Sequence, residues 1–266
     1  MQPGPIVGIV VALGAILVGN ALEGGHMSSM VGGPAALIVL GGTIGAVLVQ
    51  YPISTCIAGV KAALATFKKP EQDAAALVEE IADYAQRARR DGILALEKVA
   101  ESASDSFLRK ALTMAVDGVD SQSLRETLEV AITQEEEHGE DGAKAFEAAG
   151  GYSPTVGIIG AVLGLIHVMS NLSDIGAVGH GIAAAFVATI YGVAAANIVF
   201  LPIGGRIKLR VRERACVREM TLTGVLAIQA GMNPKLVRER LSQFIPHHAP
   251  AKGAAPAAAP PARAPG

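Results

Sequence analysis

The sequence predicts an all-α, polytopic membrane protein with four transmembrane helices and a large cytoplasmic helical region. Three observations carry that reading. The chain is 51% hydrophobic and only 17% charged, with a mean hydropathy of +0.42, values high for a water-soluble domain. The apolar residues come in blocks. Those blocks approach the ~20 apolar residues that an α-helix needs to cross the hydrocarbon core of a bilayer.

The first block, Pro5 to Leu22, has glycines at 8, 14 and 19. It lacks a basic leading region and is followed at once by another apolar block, so it reads as a retained span and not a cleaved signal. Gly14 and Asn20 are expected on packed faces. The loop from Glu23 to Gly33 holds no Lys or Arg. The second span runs from Pro34 to Tyr51, with Gly41, Gly42 and Gly45 suited to tight helix contact, and its apolar character continues to Val60. Residues 1–60 thus hold two spans.

Residues 61–150 read as a soluble helical domain. From Glu71 to Ala103, Leu77, Ile81, Tyr84, Ala88, Leu94 and Leu96 recur near helical spacing between charges, with a bend or short break at Gly92. A shorter helix spans Phe107 to Val116 and ends at Asp117-Gly118. Ser121 or Ser123 is expected to cap a long helix that reaches the glycines at 150 and 151. The acidic run Glu135 to Glu137 is most simply a solvated face.

Residues 151–205 form a membrane hairpin whose only acid or base between Tyr152 and Gly205, histidines apart, is Asp174. Both arms are rich in Gly, Ala, Ser and Thr, which let membrane helices approach closely. Residues 206–245 read as two further helices, the second opened by Asn233-Pro234. The Pro/Ala-rich stretch 246–266 reads as low-complexity and disordered. Lys61, Lys68 and Lys69 follow the second span, and Arg206, Lys208, Arg210, Arg212 and Arg214 follow the fourth. The excess of basic residues on cytoplasmic loops puts both termini and the central region in the cytoplasm.

The composition also excludes. A net charge of -2 gives no support for nucleic acid as a partner. Cys56 and Cys216 are too isolated for a metal site or a disulfide framework. Nucleotide-binding, zinc-protease and serine-hydrolase motifs are absent, so neither an enzyme nor a cofactor is expected. Interfacial anchoring rests on Tyr51, Tyr152, Tyr191 and flanking Lys/Arg, because the chain has no Trp.

Ion passage through lipid normally needs an ionisable group inside a span. Here the acids nearest the membrane, Glu23 and Asp174, fall in loops, which leaves His167 and His180. His167 reads either as a hydrogen-bonded structural residue or as a proton relay. A carboxylate, if ions move, has to come from another subunit, with this chain as the wall. Thr155, Thr189, Tyr191 and Asn197 are the polar groups such a wall offers, and Thr189 and Asn197 fall near one helical face. The alternative is that such hydroxyls only bond the carbonyl one turn back.

Several segments resemble one family. They are VLGGTIGAVLV in the second span, RRDGILALE in the soluble helix, SPTVGIIGAVLGLIHVMSNLSD in the third span and ATIYGVAAANIVFLPI in the fourth. They resemble, in order, the MotA/PomA subunit of the bacterial flagellar stator, within the MotA/TolQ/ExbB proton channel group. The resemblance implies an inner-membrane homo-oligomer, regarded as a pentamer, around the spans of two copies of a MotB-type single-span, peptidoglycan-anchored subunit whose membrane aspartate takes and releases the ion. It also implies rotor contact with FliG.

By motif, Pro154 and Pro202 match the two prolines near the cytoplasmic mouth of the path, with Thr189, Ala161 and Tyr191 along it. Arg89 and Glu97, with Arg90 beside them, match the rotor-contacting charges. Eight residues is a little over two helical turns, so Arg89 and Glu97 can project from one face. Sodium-driven members carry Thr at both the Ala161 and Thr189 positions. A bare cation needs several oxygen ligands, so Ala161 leans the reading towards protons. The alternative output is a TolQ- or ExbB-like transducer for outer-membrane work or gliding.

Overall fold

The structure, a computed structural model, describes residues 3–68, 73–170 and 172–245. The expected disordered tail at 246–266 and Lys69 lie outside the described residues. The described residues are almost wholly helical and contain no strand. Four helices are long and apolar enough to cross a membrane. The chain divides into two compact units, residues 1–72 with 119–219, and residues 73–118 with 220–266.

The first unit holds the spans. Helix α1 (Pro3–Leu22) turns through a short 3₁₀ segment, Met27–Met30, into α2 (Gly33–Gln50). A stretch of α2, Leu37–Gly41, is widened into π-type turns. Tyr51 is extended and Pro52 starts a separate helix, α3 (Ile53–Ala65), so the apolar run to Val60 is broken where the sequence reads as continuous.

Two expected junctions are missing. Helix α7 (Ser121–Ser170) is one 50-residue helix that passes through Gly150, Gly151 and Pro154. At 1.5 Å per residue it is about 75 Å long, against the roughly 30 Å of a hydrocarbon core. Helix α8 runs from Ile175 to Gln229 without a break at Gly204-Gly205. The cap of α7 is also corrected: Asp120 Oδ1, not a serine, accepts from the backbone N–H of Gln122 and of Ser123 at 3.0 Å. Carboxylate caps serve this position as well as hydroxyls do. Asp174, the lone acid of the hairpin, caps α8 by accepting from the Gly176 and Ala177 amides at 2.9 and 3.2 Å.

In the second unit, α4 (Ala74–Asp91) is capped by Asp73. It ends at Gly92, whose φ of +84° suits glycine and few other residues. A 3₁₀ turn (Ile93–Leu96) and α5 (Glu97–Glu101) follow, then α6 (Ser106–Val116), and α9 (Pro234–Ser242) after α8. Asn233 caps α9, as expected. Leu77, Ile81, Tyr84 and Leu96 are buried, but Leu94 is exposed, because the chain no longer follows α4 beyond the bend at Gly92.

Candidate functional site

The site is the crossing of α7 and α8, where small residues remove the side chains that would hold two helices apart. A methyl placed on Gly192 would lie 2.6 Å from the Ser153 carbonyl oxygen and 3.0 Å from the Gly157 Cα. One placed on Gly157 would lie 3.0 Å from the Ala188 carbonyl oxygen. The two backbones are therefore in direct contact. Ser153, fully buried, donates its hydroxyl to the Gly192 carbonyl at 3.0 Å. Toward the connecting loop, Gly164 sits on Ala185 and Gly181 beneath Val168.

Pro154 lies at this crossing, half-buried inside α7, its Cα 3.2 Å from where a Gly192 methyl would be. Proline lacks an N–H and leaves the carbonyl four residues back, that of Gly150, without its helical donor. Gly150 is covered by the Leu201 side chain, 2.5 Å from where its own methyl would be. Pro202 is the residue after Leu201 and is exposed. The two prolines thus flank one contact between the arms. Just before Pro202, Ala195–Phe200 widen into π-type turns, and this is where the proline ring would otherwise press on the carbonyl of Ile198.

Thr189 and Asn197 share a face, as expected. Both line a groove of about 420 Å³ with Ile16 of α1 and Ile190, Val193, Ala194 and Ile198 of α8. Each also bonds back along its own helix. Thr189 Oγ1 donates to the Ala185 carbonyl at 3.3 Å and Asn197 Nδ2 to that of Val193 at 2.9 Å. Thr155 does likewise to Tyr152 at 2.8 Å. Ala161 is half-buried, next to Gly160, which packs on Ala188. His167 and His180 are exposed.

Tyr191 bonds to the segment that leads into α2. Its hydroxyl donates to the Met30 carbonyl at 2.7 Å and accepts from the Gly32 amide at 3.1 Å. It fixes the start of α2 beside Val187 and Ala188, which pack with Ala35 and Val39. Val187 is twelve residues into α8, about 18 Å along its axis, so α2 begins well along its neighbour.

Arg89, Arg90 and Glu97 are all exposed in the second unit. Arg89 and Glu97 do not share a helix: Arg89 is in the last turn of α4 and Glu97 opens α5, on either side of Gly92. The common-face argument from helical spacing therefore does not hold. Arg90 forks onto the neighbouring Asp91 carboxylate at 2.8 to 3.0 Å, and this hydrogen-bonded pair lowers the carboxyl's affinity for protons. Arg89 forms no such fork. Glu97 sits at a helix N-terminus, where a negative charge is favoured.

Sequence reasoning missed Ser153, the Tyr191 anchor, and the Tyr152 hydroxyl that donates to Gln50 Oε1 at 2.8 Å. The one available signal was their polarity inside apolar runs. Among the described residues no cluster of His, Cys, Asp and Glu could hold a metal ion.

Comparison with known proteins gives consistent relatives. Motility protein A of Bacillus subtilis is 34% identical over 92% of this chain and 92% of its own length. Chemotaxis protein PomA of Vibrio alginolyticus is 31% identical over 92% of this chain and 96% of its own. The structure of C. jejuni MotAB superposes with a TM-score of 0.89 at 30% identity, covering 94% of this chain and 98% of that one. The flagellar MotAB stator complex of Bacillus subtilis gives 0.83 at 34%, covering 91% and 95%.

The fold and these likenesses define a multi-pass helical protein of the inner membrane, a channel-type transducer and not an enzyme. The profile of the MotA/TolQ/ExbB proton channel family matches residues 99–220, and that of the motility protein A N-terminal region matches residues 6–92. The chain belongs to the motility protein A branch of that family.

Proposed function

We propose that several copies of this chain, arranged as a pentamer, surround a MotB-type single-span subunit anchored to peptidoglycan and form the wall of its proton path. The chain is a stator subunit of the flagellar motor, where ion flow becomes rotor torque. One observation carries the wall reading. The α7–α8 hairpin is held in backbone contact, yet between Tyr152 and Gly205 its one acid is Asp174, in the connecting loop. A carboxylate carrier then comes from a companion chain, because ion passage through lipid needs an ionisable group and the hairpin itself offers only His167 and His180.

Both termini lie in the cytoplasm on this reading. The basic residues after α2 and within α8 support it, since Arg210 donates to the Lys68 carbonyl at 2.7 Å and so brings both basic ends together. Pro154 and Pro202 border the inner mouth. Ala161 and Thr189 line the path, and Ala161 in place of a second hydroxyl favours protons over sodium. Tyr191 braces the wall from behind through Met30 and Gly32. Arg89 and Glu97, with Arg90, present exposed charge to FliG, as suits a contact that forms and breaks rapidly.

Replacement of Pro154 or Pro202 by Ala should abolish torque while membrane insertion stays normal. Unchanged swimming would remove both prolines from the mechanism. Arg89→Glu or Glu97→Lys should impair rotation and recover with an opposite reversal in the rotor. Swimming should persist in sodium-free medium, and a strict sodium requirement would refute the proton assignment.

A further inference from the structure

Among the described residues of the first unit, helix α3 is the one apolar helix too short to span, and its two faces differ. One packs inward: Gly59 lies against the backbone of Gly142, and Ala63 sits with Ala143 and Ile207. The other carries Ile53, Ile57, Val60 and Leu64 at 66, 50, 52 and 64% exposure. Their spacing of four, three and four residues makes one continuous stripe. Only Tyr51 and Pro52 separate this helix from the end of α2, so the stripe begins at the edge of a span.

Basic residues border it. Lys61 is one turn after Ile57, and Lys68 closes the segment; both are exposed. Arg210 is held beside Lys68 by its hydrogen bond to the Lys68 carbonyl, and Arg206 lies one turn earlier on α8. Of the nearby cations, Lys208 is matched by Glu147 at 2.8 Å and Arg210 only loosely by Glu213 at 3.8 Å. An apolar stripe at the end of a span, edged by cations, has the form of an interfacial helix that draws anionic lipid.

We infer that α3 lies in the membrane interface and that Lys61, Lys68 and Arg210 recruit the headgroups of anionic phospholipids around each subunit. The bilayer buries the stripe and the cations select its charge. This goes beyond the stator role, since it assigns a lipid class to a surface outside the ion path.

The chain has no Trp, so Ile57→Trp supplies a single reporter on the stripe. The full-length variant is reconstituted in phosphatidylcholine bilayers containing either brominated phosphatidylglycerol or brominated phosphatidylcholine. Brominated phosphatidylglycerol should associate about fivefold more strongly, the factor that roughly one basic residue near an anionic surface supports. That preference should vanish in Lys61→Gln/Lys68→Gln/Arg210→Gln and survive in Lys61→Arg/Lys68→Arg/Arg210→Lys. Equal quenching by the two lipids in the unmodified background overturns the assignment of anionic lipid. Absence of quenching by either overturns the interfacial placement and gives the stripe to a second copy of this chain.

Discussion

In the α7–α8 hairpin the closest approach is backbone to backbone, at Gly157 and Gly192. Around α4 it is aliphatic side chain to side chain, with Ile81, Leu96, Leu108 and Leu112 fully buried. The difference follows from the solvent. In water, large apolar side chains gain from burial in proportion to their area. In lipid that gain is absent, because the tails are as apolar as leucine, and helices associate through close van der Waals contact and buried hydrogen bonds such as Ser153 to Gly192. The hairpin therefore tolerates no added volume, whereas the second unit tolerates no lost volume.

Four measurements sharpen or break that contrast. The largest effect is expected from Gly192→Val, whose branched side chain would enter the Ser153 carbonyl and Gly157. It should cost about 3 kcal/mol or more, seen as loss of the folded protein in detergent melting and as loss of swimming. A normal melt would mean that the arms are not in backbone contact.

Ile81→Val deletes one methylene from the second unit, where Ile81 is fully buried and packs over Gly224. It should lower stability by about 1 kcal/mol, read from a denaturant midpoint, without altering insertion.

Acid should reach the second unit through Glu80. Burial alone would raise its pKa, but hydrogen bonds from Ser104 and Tyr84 outweigh it and hold the value below the ordinary 4.5. A depressed carboxyl stabilises above the unfolded-state value and loses that contribution as pH falls through the folded one. Melting should therefore be flat through neutral and mildly acid pH and fall below about 4.5. Glu80→Gln should be less stable at neutral pH and equal to the parent in strong acid. A difference that persists undiminished in acid would contradict the hydrogen-bonded carboxylate.

The smallest effect belongs to the exposed fork of Arg238 on Glu79, 2.7 to 3.0 Å long. Arg238→Met should move the denaturant midpoint only slightly, and less still at high salt. A larger shift would show that charge pairing, and not the aliphatic core, holds α9.

The spans were legible in the sequence because apolar length is a direct physical requirement of a bilayer. The junctions were not. Gly150-Gly151 and Gly204-Gly205 read as breaks, yet Gly150 is covered by Leu201 and Gly204 packs on Ala143 and Glu147. Glycine in a helix can mark close approach as readily as an end, and composition does not distinguish them. Asp120 precedes two serines that suit a cap equally well by residue type, and only the backbone geometry selects it. At the site, the prolines and Thr189 were visible as residue types, but the Ser153 bond depends on which faces of α7 and α8 meet. The bend at Gly92 was visible in the sequence, but its consequence, Arg89 and Glu97 on separate helices, was not.

The proposed path, lined by this chain with its charge carrier on a companion, is open to a test by proton flux. Liposomes holding this chain alone, under an imposed pH gradient, should leak no faster than empty ones. Adding the MotB-type subunit freed for conduction should open a proton current that stops when its membrane aspartate is replaced by Asn. Sustained leakage through this chain alone would place the working group within its own spans and contradict the account.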